Sequence, residues 1–511
     1  MLFFTARTSS TGHDTSRKDK CGDGRVWSIR QLLWNEHIDA AGGVYPVETL
    51  TPEPPDYAKD NVQSKNIRRK SMVDGAHPIN DRGIIFDDER AGFTFEQIKV
   101  LALCGVGGAI ELYEFIIFVM LTPYLSQAFF PASTPEWLRT IQTLAIFAIG
   151  YFVRPIGGIV IAMLGDTLGR KRMFSLTIVL MAIPTLLIGI LPTYQQVGLV
   201  APVLLLVCRM AQGLSLGGEI PGAVVFVAEH VPFKRMGFAC SLVGAGAALG
   251  LFLGAFTIGI LTSLSDPQTM ASWLWRVAFV IGGAIGLIAG YVRHYVEETP
   301  VFQAMRQQGR LASRVSFTKL FVESRGQLLG GLAISFMTAA VPPVLLLYPP
   351  IYMRSVLHFD ASVVQNAQTI GTIALAVGSI VGGYLTDGFG AVRTYVLYAV
   401  GLVIAAYLLV TGIQSGPQYL GVWYALVGFF GGISALGYYF IIQAFSPQVR
   451  ITGLSVPYNV ASAVGGALPI AVATLIQAYP LAPAHIITGF TIFAVQAVPL
   501  LWRLRLPISL S

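Results

Sequence analysis

Twelve apolar runs follow one another between about residues 100 and 501, each near the ~20 residues an α-helix needs to cross a hydrocarbon layer of ~30 Å. The first six cover about 100–125, 141–164, 173–191, 200–227, 238–261 and 274–292. A longer polar stretch intervenes, and six more follow at about 328–348, 367–385, 394–413, 420–442, 454–476 and 486–501. The pattern predicts an all-α membrane protein of twelve transmembrane helices in two six-helix, pseudo-symmetric halves, 92–296 and 328–511. Between them, 297–327 reads as a polar central loop, and its FTKLFVESR stretch suggests short amphipathic helices on the membrane face. Residues 1–91 are polar and lack helical periodicity, so they read as a disordered leader, or as an artefact if translation starts at Met72.

An internal repeat supports the two halves. The loop MLGDTLGRKRM (163–173) packs an acid, a glycine and three consecutive cations between two apolar runs. At YLTDGFGAVRTY (384–395), Asp387, Gly390 and Arg393 stand 221 residues after Asp166, Gly169 and Arg172, which points to duplication. Composition agrees with a membrane location: 54% of residues are hydrophobic and 12% charged, against about 25% charged in soluble domains. The net charge of +7 arises after residue 91, where 21 Lys and Arg face 13 Asp and Glu. Those cations lie in short loops, where they set orientation, so nucleic-acid binding is not suggested. Assigning the loops to alternate sides gives fifteen cations on one side, Arg170, Arg293 and Arg450 among them, against Arg139, Arg276 and Arg354 on the other. This bias predicts cytoplasmic termini and a cytoplasmic central loop. No metal spacing, disulfide framework or cofactor motif is present, and GxSxG, HExxH and P-loop patterns are absent, which argues against an enzyme or an ATP-driven pump.

Ionisable residues at membrane depth are costly and mark pathways. The sequence places Glu111, Glu114, Arg154, Arg209 and Glu219 inside spans of the first half and no such residue inside the second. Glu111 and Glu114, three apart, share a helix face, so they and Glu219 are the candidates for proton coupling. Arg209, Gln212 and Glu219 fall within one 80° wedge of span four. The guanidinium of Arg209 suits a substrate carboxylate. Arg154 either pairs with a span-one glutamate or makes a second substrate contact, and Glu219 is either a proton relay or a structural ion pair. Gln212, Tyr113, Tyr348, Tyr352 and Asn459 complete the candidate binding set. No histidine lies in a span interior, so a coupled proton would ride on carboxylate.

The GDTLGRKR loop with its decayed copy resembles the major facilitator superfamily. ELYEF (111–115), VRPIGG (153–158), RMAQGLSLGGEIPGAVVFVAEH (209–230), EETPVF (297–302) and VRITGLSVPYN (449–459) are similar to its metabolite:proton symporter branch, whose permeases take α-ketoglutarate, citrate, shikimate, proline or betaine. The pattern departs from the family at Ala162, Thr167 and Leu112, where glycine, a cation and tryptophan are usual. The resemblance implies a monomeric carrier in a bacterial inner membrane that imports a small organic acid or zwitterion with protons by alternating access. An exporter of the same fold is the alternative, and a non-transporting sensor a distant one. It also implies a cytoplasmic gate, for which the candidates are Asp166, Gly169, Arg170 and Arg172, their counterparts Asp387 and Arg393, and Glu229, Arg235 and Arg450.

Overall fold

The computed structural model describes residues 92–311, 317–476 and 478–504. The leader, with Met72, lies outside the described residues, as do Arg314 and Arg505. All that is described falls within one compact unit, Asn66–Ser511.

Helices account for nearly the whole of it: α1 Phe95–Phe129, α2 Glu136–Leu168, α3 Arg170–Ile190, α4 Val200–Ala228, α5 Met236–Ser263 and α6 Trp275–His294. The central stretch carries the short α7 Pro300–Gln307 and α8 Phe317–Glu323. Then come α9 Arg325–Val341, α10 Tyr348–Ser355, α11 Ala361–Leu385, α12 Ala391–Ser415, α13 Leu420–Gly431, α14 Ile433–Ala444, α15 Arg450–Gly465, α16 Leu468–Leu475 and α17 Ala482–Arg503. Eleven helical runs among the described residues are long and apolar enough to cross a bilayer. Ten of these are 21 to 35 residues long; the eleventh, Ala361–Ser415, is 55 residues and takes in both the eighth and ninth predicted spans.

Local chemistry sets the boundaries. Thr94 opens α1 with a capping box closed by Gln97. Gly169, at φ 119°, separates α2 from α3, and its repeat partner Gly390, at φ 106°, precedes α12. Both sit where a side chain would be strained, so the repeat marks two equivalent breaks. Prolines lie inside α1, α2, α3, α4, α15 and α17; the Gly217 carbonyl freed by Pro221 accepts from Asn459 Nδ2 and Ser455 Oγ of a neighbouring helix. A proline pair opens the π-helical turn Pro342–Leu347 between α9 and α10, and a second pair, Pro349 and Pro350, follows it in the first turn of α10.

Within the first half α1 packs on α5, α2 on α4, and α3 on α6; in the second, α9 packs on α17 and α15, and α11 on α13. The halves meet where α5 lies on α11 and α2 on α15, a pair of contacts that the repeat relates to each other. Large apolar side chains such as Phe152, Ile190 and Val203 stay exposed on the outside, as lipid-facing positions do.

Burial corrects one expectation. Arg293, read from sequence as a loop cation, is 1% exposed, and the second half contributes the buried Arg450. The polar ends of the helices are drawn into the packed interior by the acids they meet there.

Candidate functional site

Buried charge forms three tiers along the bundle. The middle tier lies half-way along α1, α2 and α4. Glu111 and Glu114 face inward, each 3% exposed. Arg154 donates to Glu111 Oε1 at 2.8 Å, to Asn459 Oδ1 at 3.0 Å and to the Tyr458 hydroxyl at 3.3 Å. One guanidinium therefore joins span one to α15 in the other half. Asn459 is fixed in turn by donating to Gly217 O at 2.7 Å, and a Cβ on Gly158 would run into its amide, so close helix approach is part of the arrangement.

Glu114 belongs to a different cluster. Its Oε2 accepts from Gln212 Nε2 at 2.9 Å and its Oε1 pairs with the Thr185 hydroxyl. Gln212 also donates to Thr185 Oγ1 at 2.7 Å and accepts from Arg209 Nη1 at 2.7 Å. Arg209 has no hydrogen-bond partner at Nε or Nη2, although it is buried. Its guanidinium carbon lies 3.6 Å from the Phe118 ring centroid and 5.1 Å from that of Phe147. Leaving charged N–H groups unpaired in a dry interior costs free energy unless something else meets them.

Arg209 lines a cavity of about 20 Å³ together with Glu111, Glu114, Phe115, Phe147, Tyr151 and Gln212 among others. Phe115, Phe147 and Tyr151 pack mutually, with centroids 5.4 to 6.0 Å apart. The rings were not among the sequence candidates. Phe147 and Tyr151 are four apart on one face of α2 opposite ELYEF, the signal that could have found them. Of the other predicted residues, Tyr113 turns away and donates to Ala278 O at 3.0 Å, packing α1 on α6. Tyr348 and Tyr352 stack on each other at 6.4 Å on α10, outside this cavity. A larger cavity of about 280 Å³ lies between the ends of α5 and α11, lined by Phe252, Phe256, Ser263, Gln365, Gln368 and Thr372 among others.

The second tier is one ion pair. Arg293 meets Glu219 through both nitrogens, at 2.6 and 3.2 Å, and also donates to Phe174 O and Leu103 O. Thr177 donates to the same carboxylate. Glu219 is therefore surrounded by donors and does not line the cavity beside Arg209.

At the cation-bearing end, Asp166 accepts from the backbone N–H of Ile451 and Thr452, at 3.3 and 2.9 Å, and from the Thr452 hydroxyl. These are the first amides of α15, where the helix dipole favours an anion. Asp387 makes the repeat-related contact, accepting from Gly237 and Phe238 N–H, both at 2.8 Å, at the start of α5. Arg170 and Arg450 both donate to Glu229, at 3.3 and 2.9 Å, and Thr299 donates to it as well. Arg170 further reaches Pro447 O in the other half. Arg172 and Arg393 are exposed, Arg393 near the Phe389 ring, and Arg235 lies 4.7 Å from the Phe93 ring. Sequence reading missed Glu298 here, which accepts from the Lys171 N–H at the start of α3. Burial holds the Glu298 carboxyl above the usual carboxylate range, against the lowering effect of the Thr299 and Lys171 amides.

Comparison with known proteins decides the family. The chain is 31% identical over 397 residues to the proline/betaine transporter of Salmonella typhimurium, covering 74% of this chain and 78% of that one. The chain belongs to the major facilitator superfamily. Residues 102–326 also match the family model for sugar (and other) transporters. The glycine betaine/proline/ectoine/pipecolic acid transporter OusA of Dickeya dadantii is 31% identical over 396 residues, covering 74% of this chain and 77% of its own. These relatives put the chain in the metabolite:proton symporter branch. Among solved structures, the proton:xylose symporter XylE has a TM-score of 0.65 at 14% identity, over 80% of this chain and 95% of that one. A bacterial homologue of ferroportin in an outward-facing state has a TM-score of 0.55 at 13% identity, over 80% and 98%. The protein is a multi-pass membrane transporter.

Proposed function

We propose that this protein is a proton-coupled symporter that carries a small zwitterion of the proline or betaine kind into a bacterium by alternating access. One observation carries the reading: Arg209, whose Nε and Nη2 have no hydrogen-bond partner, lines a cavity whose other walls include aromatic rings and carboxylates. A single free guanidinium fits a single carboxylate, bound through two parallel hydrogen bonds. Arg154 is occupied by Glu111, Asn459 and Tyr458, which disfavours a dicarboxylate. A quaternary or secondary ammonium at the other end of the solute is attracted to the faces of Phe115, Phe147 and Tyr151. The relatives' names agree with this choice.

The remaining parts follow from that role. Glu111 and Glu114 are the proton carriers. Protonation of Glu111 frees Arg154 from its ion pair between α1 and α2, leaving the guanidinium held by Asn459 and Tyr458 of α15, while Glu114 touches Arg209 through Gln212. Glu219, saturated by Arg293, belongs to the scaffold. A helix of 55 residues would be about 80 Å long, far beyond one bilayer, so Ala361–Ser415 reverses at Gly390 and the crossings number twelve. The cation-rich end is then cytoplasmic, with both termini, in the inner membrane. Asp166, Asp387, Arg170, Glu229 and Arg450 form a gate closed on that side. The central cavity holds about one water, so solute entry requires the helices to part, and the larger cavity between α5 and α11 lies on the open side. The carrier works as a monomer.

Uptake of labelled proline, betaine and α-ketoglutarate into proteoliposomes, with and without an imposed inward proton gradient, tests the reading. Gradient-driven accumulation of a zwitterion is expected, abolished in Arg209→Gln. The Phe147→Ala variant should lose betaine uptake more than proline uptake, by about 2- to 30-fold for a cation–π contact of roughly 0.5–2 kcal/mol. Accumulation of α-ketoglutarate alone, or gradient-driven loss of preloaded solute, would overturn it, the latter in favour of an exporter.

A further inference from the structure

Thr185 in α3 was not a candidate from sequence, and no part of the transport reading uses it. Its hydroxyl is fully buried and sits among three hydrogen-bonding groups. Gln212 Nε2 donates to it at 2.7 Å, Met181 O lies 2.8 Å away one helical turn back, and Glu114 Oε1 is in contact. A hydroxyl has one proton and two lone pairs. One lone pair is engaged by Gln212, so the proton and the other lone pair must be divided between Glu114 and Met181 O.

That division depends on Glu114. When the carboxylate is ionised it can only accept, so Thr185 must donate to Oε1. When Oε1 carries a proton it becomes a donor, and two donors cannot face each other. The Thr185 O–H then rotates to Met181 O, and its free lone pair accepts from Glu114. In both states Gln212 keeps one N–H on Thr185 and the other on Glu114 Oε2, and its Oε1 stays on Arg209 Nη1. Every group is satisfied on both sides of the protonation step, and only one hydroxyl moves.

We propose that Thr185 is a positioning residue for proton coupling, a hydroxyl that reverses its hydrogen bond with Glu114 when that carboxyl gains or loses its proton, so that Arg209 stays in register. The inference rests on Glu114 as a proton carrier. The proton itself comes from solvent on the outward side and leaves to the inward side. Other charged or titratable groups lining the cavity with Glu114 are Glu111 on its own helix, Arg209 on α4 and Tyr151 on α2; Tyr113, next to it in sequence, is bonded to Ala278 O, and Arg154 to Glu111. None of them offers a reversible donor at Oε1.

The test is the pH dependence of gradient-driven uptake in proteoliposomes for wild type, Thr185→Val, Thr185→Ser and Glu114→Gln. Valine keeps the shape and removes the hydroxyl; the ionised form loses a charge-assisted bond and the neutral form only an ordinary one. The half-maximal point in Thr185→Val should therefore move up by about one pH unit, roughly tenfold in proton concentration. Serine should restore the wild-type profile, an outcome that a purely packing role would not produce. A wild-type profile in Thr185→Val overturns the inference, as does failure of serine to restore it. If valine prevents insertion, Thr185→Ala takes its place with the same expectation. Undiminished gradient-driven accumulation in Glu114→Gln would instead bring down the parent assignment of Glu114, and this inference with it.

Discussion

The Glu219–Arg293 pair allows the separation of scaffold from proton pathway. Both side chains are completely buried, joined through two nitrogens at 2.6 and 3.2 Å, with Thr177 and two backbone carbonyls completing the shell. Removing one partner strands the other charge in a dry interior, at a cost of about 3–5 kcal/mol. Removing both, with apolar residues of similar volume, takes away the desolvation penalty together with the attraction and is close to neutral. The expected order of stability is therefore wild type, near to Glu219→Leu with Arg293→Met, and well above Arg293→Met alone. With about 400 ordered residues and an unfolding entropy of roughly 2.1 cal/mol/K per residue, a loss of about 4 kcal/mol lowers the thermal midpoint by about 5 °C. Fluorescence-detected size exclusion after heating reads that difference in detergent, and proteoliposome uptake reads transport in the same preparations. A double variant that folds, and still accumulates solute on a proton gradient, fits a structural pair. One that folds as well as wild type but no longer responds to the gradient would refute the reasoning and put Glu219 in the proton pathway.

Two further predictions concern the cation-bearing end. Folded Glu298 binds its proton more tightly than the unfolded chain does, because burial raises its pKa. Its stabilising contribution is therefore present below the ordinary carboxylate range and is lost as pH rises through the raised folded value. Glu298→Gln keeps an acceptor for the Lys171 N–H and should flatten that dependence in thermal midpoints measured from pH 4 to 8; an unchanged slope contradicts it. Asp166→Asn and Asp387→Asn each remove a full charge from a helix N-terminus, an interaction of about 0.3–2 kcal/mol, and should raise labelling of an engineered cysteine in the central cavity from the cytoplasmic side by roughly 2- to 30-fold. Labelling that stays at the wild-type rate in both would dissociate these contacts from the gate.

The fold was legible because membrane insertion writes itself into long apolar runs, and the 221-residue repeat of Asp166, Gly169 and Arg172 showed how they are grouped. Individual partners were less legible. Glu111, Glu114, Arg154 and Arg209 stood out as charges in apolar sequence, and the structure does bring them to one level. Arg293 did not stand out, since it follows the last apolar residue of its span and has the sequence context of any topology-setting loop cation. What buries it is Glu219, 74 residues earlier on another helix, a relation that periodicity within one span cannot register. Thr185, Phe147 and Tyr151 were missed for the opposite reason: hydroxyls and aromatic rings are ordinary inside membrane helices, the four-residue spacing of the two rings is a faint signal, and the convergence of α1, α2, α3 and α4 is what distinguishes these from the rest.

The repeat also explains why the two contacts between halves differ in chemistry. Asp166 and Asp387 do the same thing at the starts of α15 and α5, and Gly169 and Gly390 break the chain in the same way after each. The sequence around them has diverged. The first copy keeps Arg170, and this residue with Asp166, Glu229 and Arg450 adds a buried, charge-balanced bridge from the first half to the second. At the position equivalent to Arg170 the second copy has Ala391, so its contact rests on Asp387 and the close packing of Gly383 against Ser241. In a carrier that rocks, the proposed gate then has one side reinforced by buried ion pairs, between α2 and α15, and one held by Asp387 and close packing, between α5 and α11. The ion-paired side is also the one that Arg154 ties to Asn459 at the level of the site. In the proposed mechanism a proton arriving at Glu111 acts on the same guanidinium that makes this tie, so the protonation step and the ion-paired side of the gate share Arg154.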